Sequence, residues 1–496
     1  MKRAAGILLH PTSLPSPYGI GDIGDVAFRW IDMLRQSGQT HWQFCPLGPA
    51  GLGDSPYQCV SSFAGNPLLV SPDSLYEDGL LKKSDFASFP ALPADRVDYP
   101  EAGRQKEKLF RAAFGRFTET EEFDAFCKKE SSWLDDYALF CAVKRHVDNR
   151  PWSHWDEPLK MRRRDAMAAA ASAHGGEVRF RKFLQFVFYR QWAALRAHAA
   201  RQGITLIGDI PIYVALDSCD AWAAPRQFEF DKNGNPLRVS GVPPDYYSET
   251  GQLWGNPLYR WDVMRKDGYG WWIARIRKSL ESADLVRLDH FRGFESFWAV
   301  KAGEKTAKDG EWVKGPGMDF FVRVKKALGG LPFIAEDLGD ITEDVTRLRN
   351  DAGLPGMKVM QFAFDANPDN PHLPYNFPLH SVAYTGTHDN DTTAGWLESI
   401  SGVERDRVCT YVGCERAVTC KDIIRLAYSS VASLCVIPLQ DVLCLDSSAR
   451  MNTPGLPAGN WQWRCAKDDF SAEKLSFVKE CAADYGRLPP KNRETT

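Results

Sequence analysis

The 496-residue chain lacks most of the signatures that would place it quickly. It has no run of about 18 apolar residues, so nothing in it reads as a membrane span. None of its 12 cysteines forms a C-x-x-C pair, and Cys409, Cys414 and Cys420 have no histidine pair nearby, which argues against zinc. Free thiols in a reducing compartment fit better, and a cytoplasmic protein is expected. There is no G-x-x-x-x-G-K-S/T loop and no G-x-S-x-G elbow, which removes the usual phosphoryl-transfer and serine-hydrolase chemistries. Net charge is only −3, so no field favours nucleic acid or a membrane surface as partner. The opening Met1–Leu9 imitates a signal peptide, but its apolar run is shorter than the roughly 7–15 residues required and no cleavage site follows. It reads instead as a first strand.

Aromatic residues are plentiful: 16 Trp and 28 Phe, whose flat faces suit a core and also the C–H faces of sugars. Eight short apolar runs read as strands with helical segments between them: Ala5–Leu9, His41–Leu47, Ile204–Ile210, Asp284–Asp289, Phe333–Glu336, Met357–Phe362, Val382–Thr387 and Leu434–Leu439. Alternation of this kind marks a parallel α/β fold, and eight is the number that closes a (β/α)8 TIM barrel. After the first strand, Phe28, Ile31 and Leu34 recur at helical spacing. Two gaps are long. Residues 48–203 are mostly helical by pattern and read as an inserted subdomain; Phe183, Phe186, Val187, Arg190 and Leu195 give it an apolar face. Residues 211–283 contain the stretch Gly241–Gly255, too rich in Pro and Gly for regular structure, and a long loop there would overhang the barrel mouth.

Three of the strand runs end in acids: Asp289, Glu336 and Asp389. One acid at a strand end is usually a turn former or a helix cap. Three at the C-terminal ends of barrel strands read as catalytic. Glycosidic bond cleavage needs one carboxyl protonated to assist the leaving oxygen and another ionised at the anomeric carbon. Arg287, two residues before Asp289 and on the same strand face, is expected to hold Asp289 ionised. Glu336 follows Phe333, Ile334 and Ala335 and is expected to be desolvated upward.

Two rival readings compete with this. Asp289, His290, His388, Asp389 and Asp391 would also suit a barrel metallohydrolase, but Arg287 and Arg292 flank the first group, and a fixed cation beside a metal costs affinity; no metal or cofactor is expected. Gly19–Gly24 matches G-x-G-x-x-G, yet a Pro-rich loop precedes it, no acid follows at the dinucleotide spacing, and Asp22 would repel a pyrophosphate.

At these residues the sequence closely resembles the amylomaltase family, the 4-alpha-glucanotransferases of the alpha-amylase clan. The resemblance spans nearly the whole chain: Pro15–Gly21, Gly53–Tyr57, Gly208–Pro211, Gly241–Gly255, Arg287–Gly293, Ala335–Gly339, Gly386–Thr392 and Gly459–Trp461. It implies a (β/α)8 barrel with insertions and no separate C-terminal β-sandwich. It also implies Asp289 as nucleophile, Glu336 as general acid/base and Asp389 as the carboxylate that grips sugar hydroxyls. Arg287 and His388 would hold the sugar, with Asp209 as a structural or binding partner. Asp245 and Trp254 would lie on the loop over the glucan, Tyr57 would be an aromatic platform, and Asn460 a hydrogen-bonding group near the donor side. Leu216 stands where a more polar residue is expected. The substrates implied are α-1,4-glucans and maltooligosaccharides, as both donor and acceptor. The alternatives are an amylase-type hydrolase and a catalytically dead glucan-binding barrel.

Overall fold

A computed structural model describes residues 2–244, 248–414 and 416–489. Its strands, in chain order, are β1 Ala4–Leu8, β2 His41–Gln43, β3 Thr205–Ile210, β4 Arg238–Val242, β5 Gln252–Pro257, β6 Leu285–Leu288, β7 Ser296–Lys301, β8 Gly310–Lys314, β9 Phe333–Ala335, β10 Gly356–Val359, β11 Ser381–Tyr384 and β12 Leu434–Pro438. Eight of them close a parallel barrel in the order β1-β12-β11-β10-β9-β6-β3-β2. Each of the eight apolar runs singled out from sequence contributes one barrel strand. All but β3 end earlier than the runs do: β2 stops at Gln43 and β10 at Val359, beyond which Met360–Phe362 turns into a 3₁₀ helix.

Inward-facing side chains explain how the barrel mouth becomes polar. Ile207 and Ile334 pack at mid-barrel with Met357, Val382, Tyr384, Leu434 and Val436. Two residues later along β3 and past the end of β9, the same inward rows carry Asp209 and Glu336; along β6 they carry Arg287 and then Asp289. The apolar plug thus turns into a charged mouth within one strand period.

Helices clothe the outside. Asp25–Gln36 buries Ala27, Trp30, Ile31 and Leu34. Between β2 and β3 come several helices, among them Tyr99–Arg116, Ser131–His146 and the 28-residue Gly175–Gln202. The last lies directly on the barrel: Trp192 packs edge-on to Phe44 at 5.3 Å, and its indole N–H reaches Ser282 O at 3.0 Å. It ends where Gly203 adopts φ +71°, a left-handed cap that a side chain would strain. After β12 the described residues hold helices and loops but no strand. No described helix is long and apolar enough to cross a membrane.

The stretch Gly241–Gly255 departs from expectation. Strands β4 and β5 run into it from both sides, and with β7 and β8 they form an antiparallel sheet in the order β5-β4-β7-β8. Its prolines and glycines mark the hairpin's tip and its irregularities. Gly251 (φ +65°) sits at the tip, and Gly255 (φ +75°) sits inside β5, whose register with β4 shifts between Val239 and Gly241. Asp245 lies outside the described residues.

Two arginines stitch the barrel seam where β1 meets β12. Arg487, fully buried, donates to Ala4 O at 2.9 Å, Tyr428 O at 2.8 Å and Ser430 O at 3.0 Å. Arg3 reaches Ser430 O, Tyr428 O and Tyr485 O.

Candidate active site

Arg287 is the hub of the mouth. It is 2% exposed, and its Nε donates to Asp209 Oδ2 at 2.8 Å while Nη2 donates to Asp289 Oδ1 at 2.8 Å and to the Tyr57 hydroxyl at 3.0 Å. Tyr57 in turn donates to Asp209 Oδ2 at 2.8 Å, so one guanidinium, two carboxylates and a phenol form a closed network. Burial works against the charge on Arg287, but Asp209, Tyr57 and Asp289 outweigh it and hold its proton well above the usual value.

Next door, the backbone after Asp289 turns sharply. His290 has φ +49°, in the left-handed region that few side chains tolerate, and the turn aims its N–H at Glu336 Oε2, 2.6 Å away. Leu338 N–H binds the other oxygen at 2.9 Å. Two N–H donors favour a carboxylate, yet burial and the neighbouring Asp289 win, and Glu336 keeps its proton well above the ordinary range. Asp289 departs from expectation. Arg287 was expected to hold it low, but burial outweighs that cation, which also serves Asp209 and Tyr57, and pushes Asp289 up to about 6. Its side chain still keeps 27% exposure toward the mouth. At neutral pH the pair therefore carries one negative charge, on the Asp289 side, and one proton, on the Glu336 side.

Asp389 experiences the opposite balance. Burial pushes its proton affinity up, but the His388 ring, with Nε2 3.3 Å from Asp389 Oδ2, and Asn452 Nδ2, donating to Oδ1 at 2.6 Å, hold the carboxyl well below the usual range. Arg450 fixes the backbone beneath it by donating to Asp389 O at 2.7 Å. The aromatic rings gather here as well: Tyr57 stacks on His388 at 5.0 Å, and Trp461 leans on both at 5.6 Å.

The other sequence-derived residues fall around this centre. Trp254 meets the His290 ring edge-on at 4.7 Å, which puts β5 over the Asp289 turn. Asn460 uses its amide on the backbone of its own loop, accepting from Thr453 N at 2.9 Å and donating to Leu456 O at 3.0 Å. Leu216 offers its carbonyl to Trp152 Nε1 at 2.7 Å. The three carboxylates weighed as metal ligands have separate hydrogen-bond donors: Asp289 faces Arg287, Asp389 faces Asn452, and Asp391 accepts from Ser447 Oγ at 2.7 Å. Sequence reasoning missed Asn452, Arg450, Trp461 and His10. Trp461 stands inside a motif that was singled out; the others sit in loops with no periodic signal.

Acids and a bridging arginine at the C-terminal mouth of a closed parallel barrel define the class of barrel enzymes that act on glycosidic bonds. A family model described as 4-alpha-glucanotransferase matches residues 9–469. The chain is 48% identical to a 4-alpha-glucanotransferase of Synechocystis sp. over 98% of each chain. It is also 48% identical to that of Thermus thermophilus, over 98% of this chain and 100% of that one. A solved amylomaltase from Streptococcus agalactiae, in complex with acarbose, matches with a TM-score of 0.95 at 36% identity, over 98% of this chain and 100% of that one. The chain belongs to the 4-alpha-glucanotransferase family, and it is an enzyme of that activity.

Proposed function

We propose that the enzyme moves α-1,4-glucan segments between maltooligosaccharides by double displacement, with Asp289 as nucleophile and Glu336 as general acid/base. In the first half, an Asp289 oxygen bonds to the anomeric carbon as the glycosidic C–O bond breaks, and the Glu336 proton passes to the leaving oxygen. In the second, Glu336 takes the proton of an incoming 4-hydroxyl, whose oxygen displaces the Asp289 ester; configuration is retained. The observation that carries this reading is the setting of the carboxyl pair at the barrel mouth: Asp289 accepts from Arg287 and faces the opening, while Glu336 is buried beside it, where burial and Asp289 raise its proton affinity.

Asp389 and His388 grip the sugar hydroxyls, and Asp389 is already charged and oriented by Asn452. Arg287 and Asp209 shape the floor of the ring site. Tyr57 presents its ring beside His388 and Trp461, Trp254 covers the glucan, and Asn460 holds the loop on the donor side. Sugar acceptors compete with water to the extent that these rings hold an acceptor in place, since proximity is worth several orders of magnitude in effective concentration. Described cysteines that are all free support a reducing, cytoplasmic setting.

Incubation with maltotriose tests the proposal. It is expected to give glucose together with a ladder of longer maltooligosaccharides. Reducing ends that rise without longer products would make the enzyme an amylase-type hydrolase.

A further inference from the structure

We propose that His10, through water held in a recess behind Asp389, fixes the orientation of the His388 imidazole; this rests on reading His388 and Asp389 as the pair that grips the sugar. His10 lies just past the end of β1, on the catalytic side of the barrel, and is 7% exposed. Its ring lines a recess with a cavity volume of about 30 Å³ that it shares with His388, Cys45, Asp391, Asp441 and Arg450.

Most polar groups on those walls already have protein partners. Asp391 accepts from Thr392 N and Ser447 Oγ, each at 2.7 Å. Asp441 accepts from Thr393 N at 2.6 Å. Arg450 donates to the carbonyls of Asp389 and Asn452 at 2.7 and 2.8 Å. His10 is the exception. His10 Nδ1 is buried with no protein partner, and His388, on the same wall, turns its Nε2 to Asp389.

A buried polar group without a hydrogen bond costs about 1–3 kcal/mol, and a polar recess of this size has room for a water that serves His10 Nδ1 and reaches toward His388. Burial and then the nearby His388 push His10 down to about 3, so at working pH it is a neutral ring with one N–H and one acceptor nitrogen. Such a ring can order a water between itself and His388 without adding a competing charge beside Asp389. His10 is on this account a positioning residue: it acts on the sugar only through His388.

The test is kcat/KM on maltotriose for H10Q, H10F and H388A and for the double variant H10F/H388A, with melting temperatures measured alongside. H10F, which fills the space without polar atoms, is expected to lose about tenfold, while H10Q stays within about threefold of wild type. In the H388A background H10F is expected to cost nothing further, because the two act in series. Equal losses in H10Q and H10F, or the same loss from H10F with and without His388, would overturn the proposal. H10A serves the same comparison should phenylalanine prevent folding. Near-normal activity in H388A itself would instead sink the underlying reading of the sugar-gripping pair, a distinct result.

Discussion

The Asp289–Glu336 pair and Asp389 sit on neighbouring rims of one barrel mouth, yet their proton affinities move in opposite directions. Nothing in the residue types separates them. The difference comes from what each carboxyl faces: Asp289 shares its cation with Asp209 and Tyr57 and stands beside a second acid, whereas Asp389 has an imidazole and an amide to itself. Desolvation wins on one side, and hydrogen bonding with charge wins on the other. A catalytic centre that needs one acid, one nucleophile and one permanent anion obtains all three from side chains of a single kind.

The comparison breaks most sharply at Asp289. The D289N variant is expected to lose at least about 10³-fold in kcat while glucan binding persists, because the group that forms the covalent bond is gone. Measured turnover near wild type would assign the nucleophile elsewhere. On the other rim, N452A removes the 2.6 Å donor from Asp389. It is expected to lower kcat/KM by about ten- to a hundredfold, the worth of a hydrogen bond to a charged group.

The pH profile sharpens the comparison next. Asp289 must be ionised to attack, and its affinity is raised to about 6, so kcat/KM on maltotriose is expected to fall as pH drops below about 6. Asp389, held well below the usual range, adds no limb there. A profile flat down to pH 4 would contradict the burial argument for Asp289.

The smallest effect is on stability. A carboxyl whose proton affinity is higher folded than unfolded stabilises the fold below the ordinary carboxylate range and loses that contribution as pH rises through about 6. Replacing it with a neutral amide is therefore expected to raise the melting temperature of D289N at pH 7 by roughly 1–3 °C, an activity cost traded for stability. At pH 4 the difference should vanish.

Much of this molecule is legible from its sequence because parallel barrel strands are buried on both faces and write themselves as short continuous apolar runs. Val286 and Leu288, or Val382 and Ala383, cannot be mistaken for surface. The antiparallel sheet β5-β4-β7-β8 was missed for the converse reason. Its strands are partly exposed and interrupted by Gly241 and Gly255, so turn residues masked the pairing. The three acids could be read from strand ends, but the true state of Asp289 could not, since it depends on Arg287 dividing itself between partners 78 and 230 residues distant. His10, Asn452 and Arg450 belong to loops whose convergence only the closed ring creates.

That ring is fastened by the pairing of Ala4 with Leu434 and by Arg487 reaching back to Ala4. During synthesis the opening strand must wait, with one edge unmatched, until more than four hundred further residues have left the ribosome. The nascent chain therefore spends most of its time on the ribosome as an unclosed sheet, and interruption late in translation would leave an aggregation-prone arc in place of a shorter enzyme.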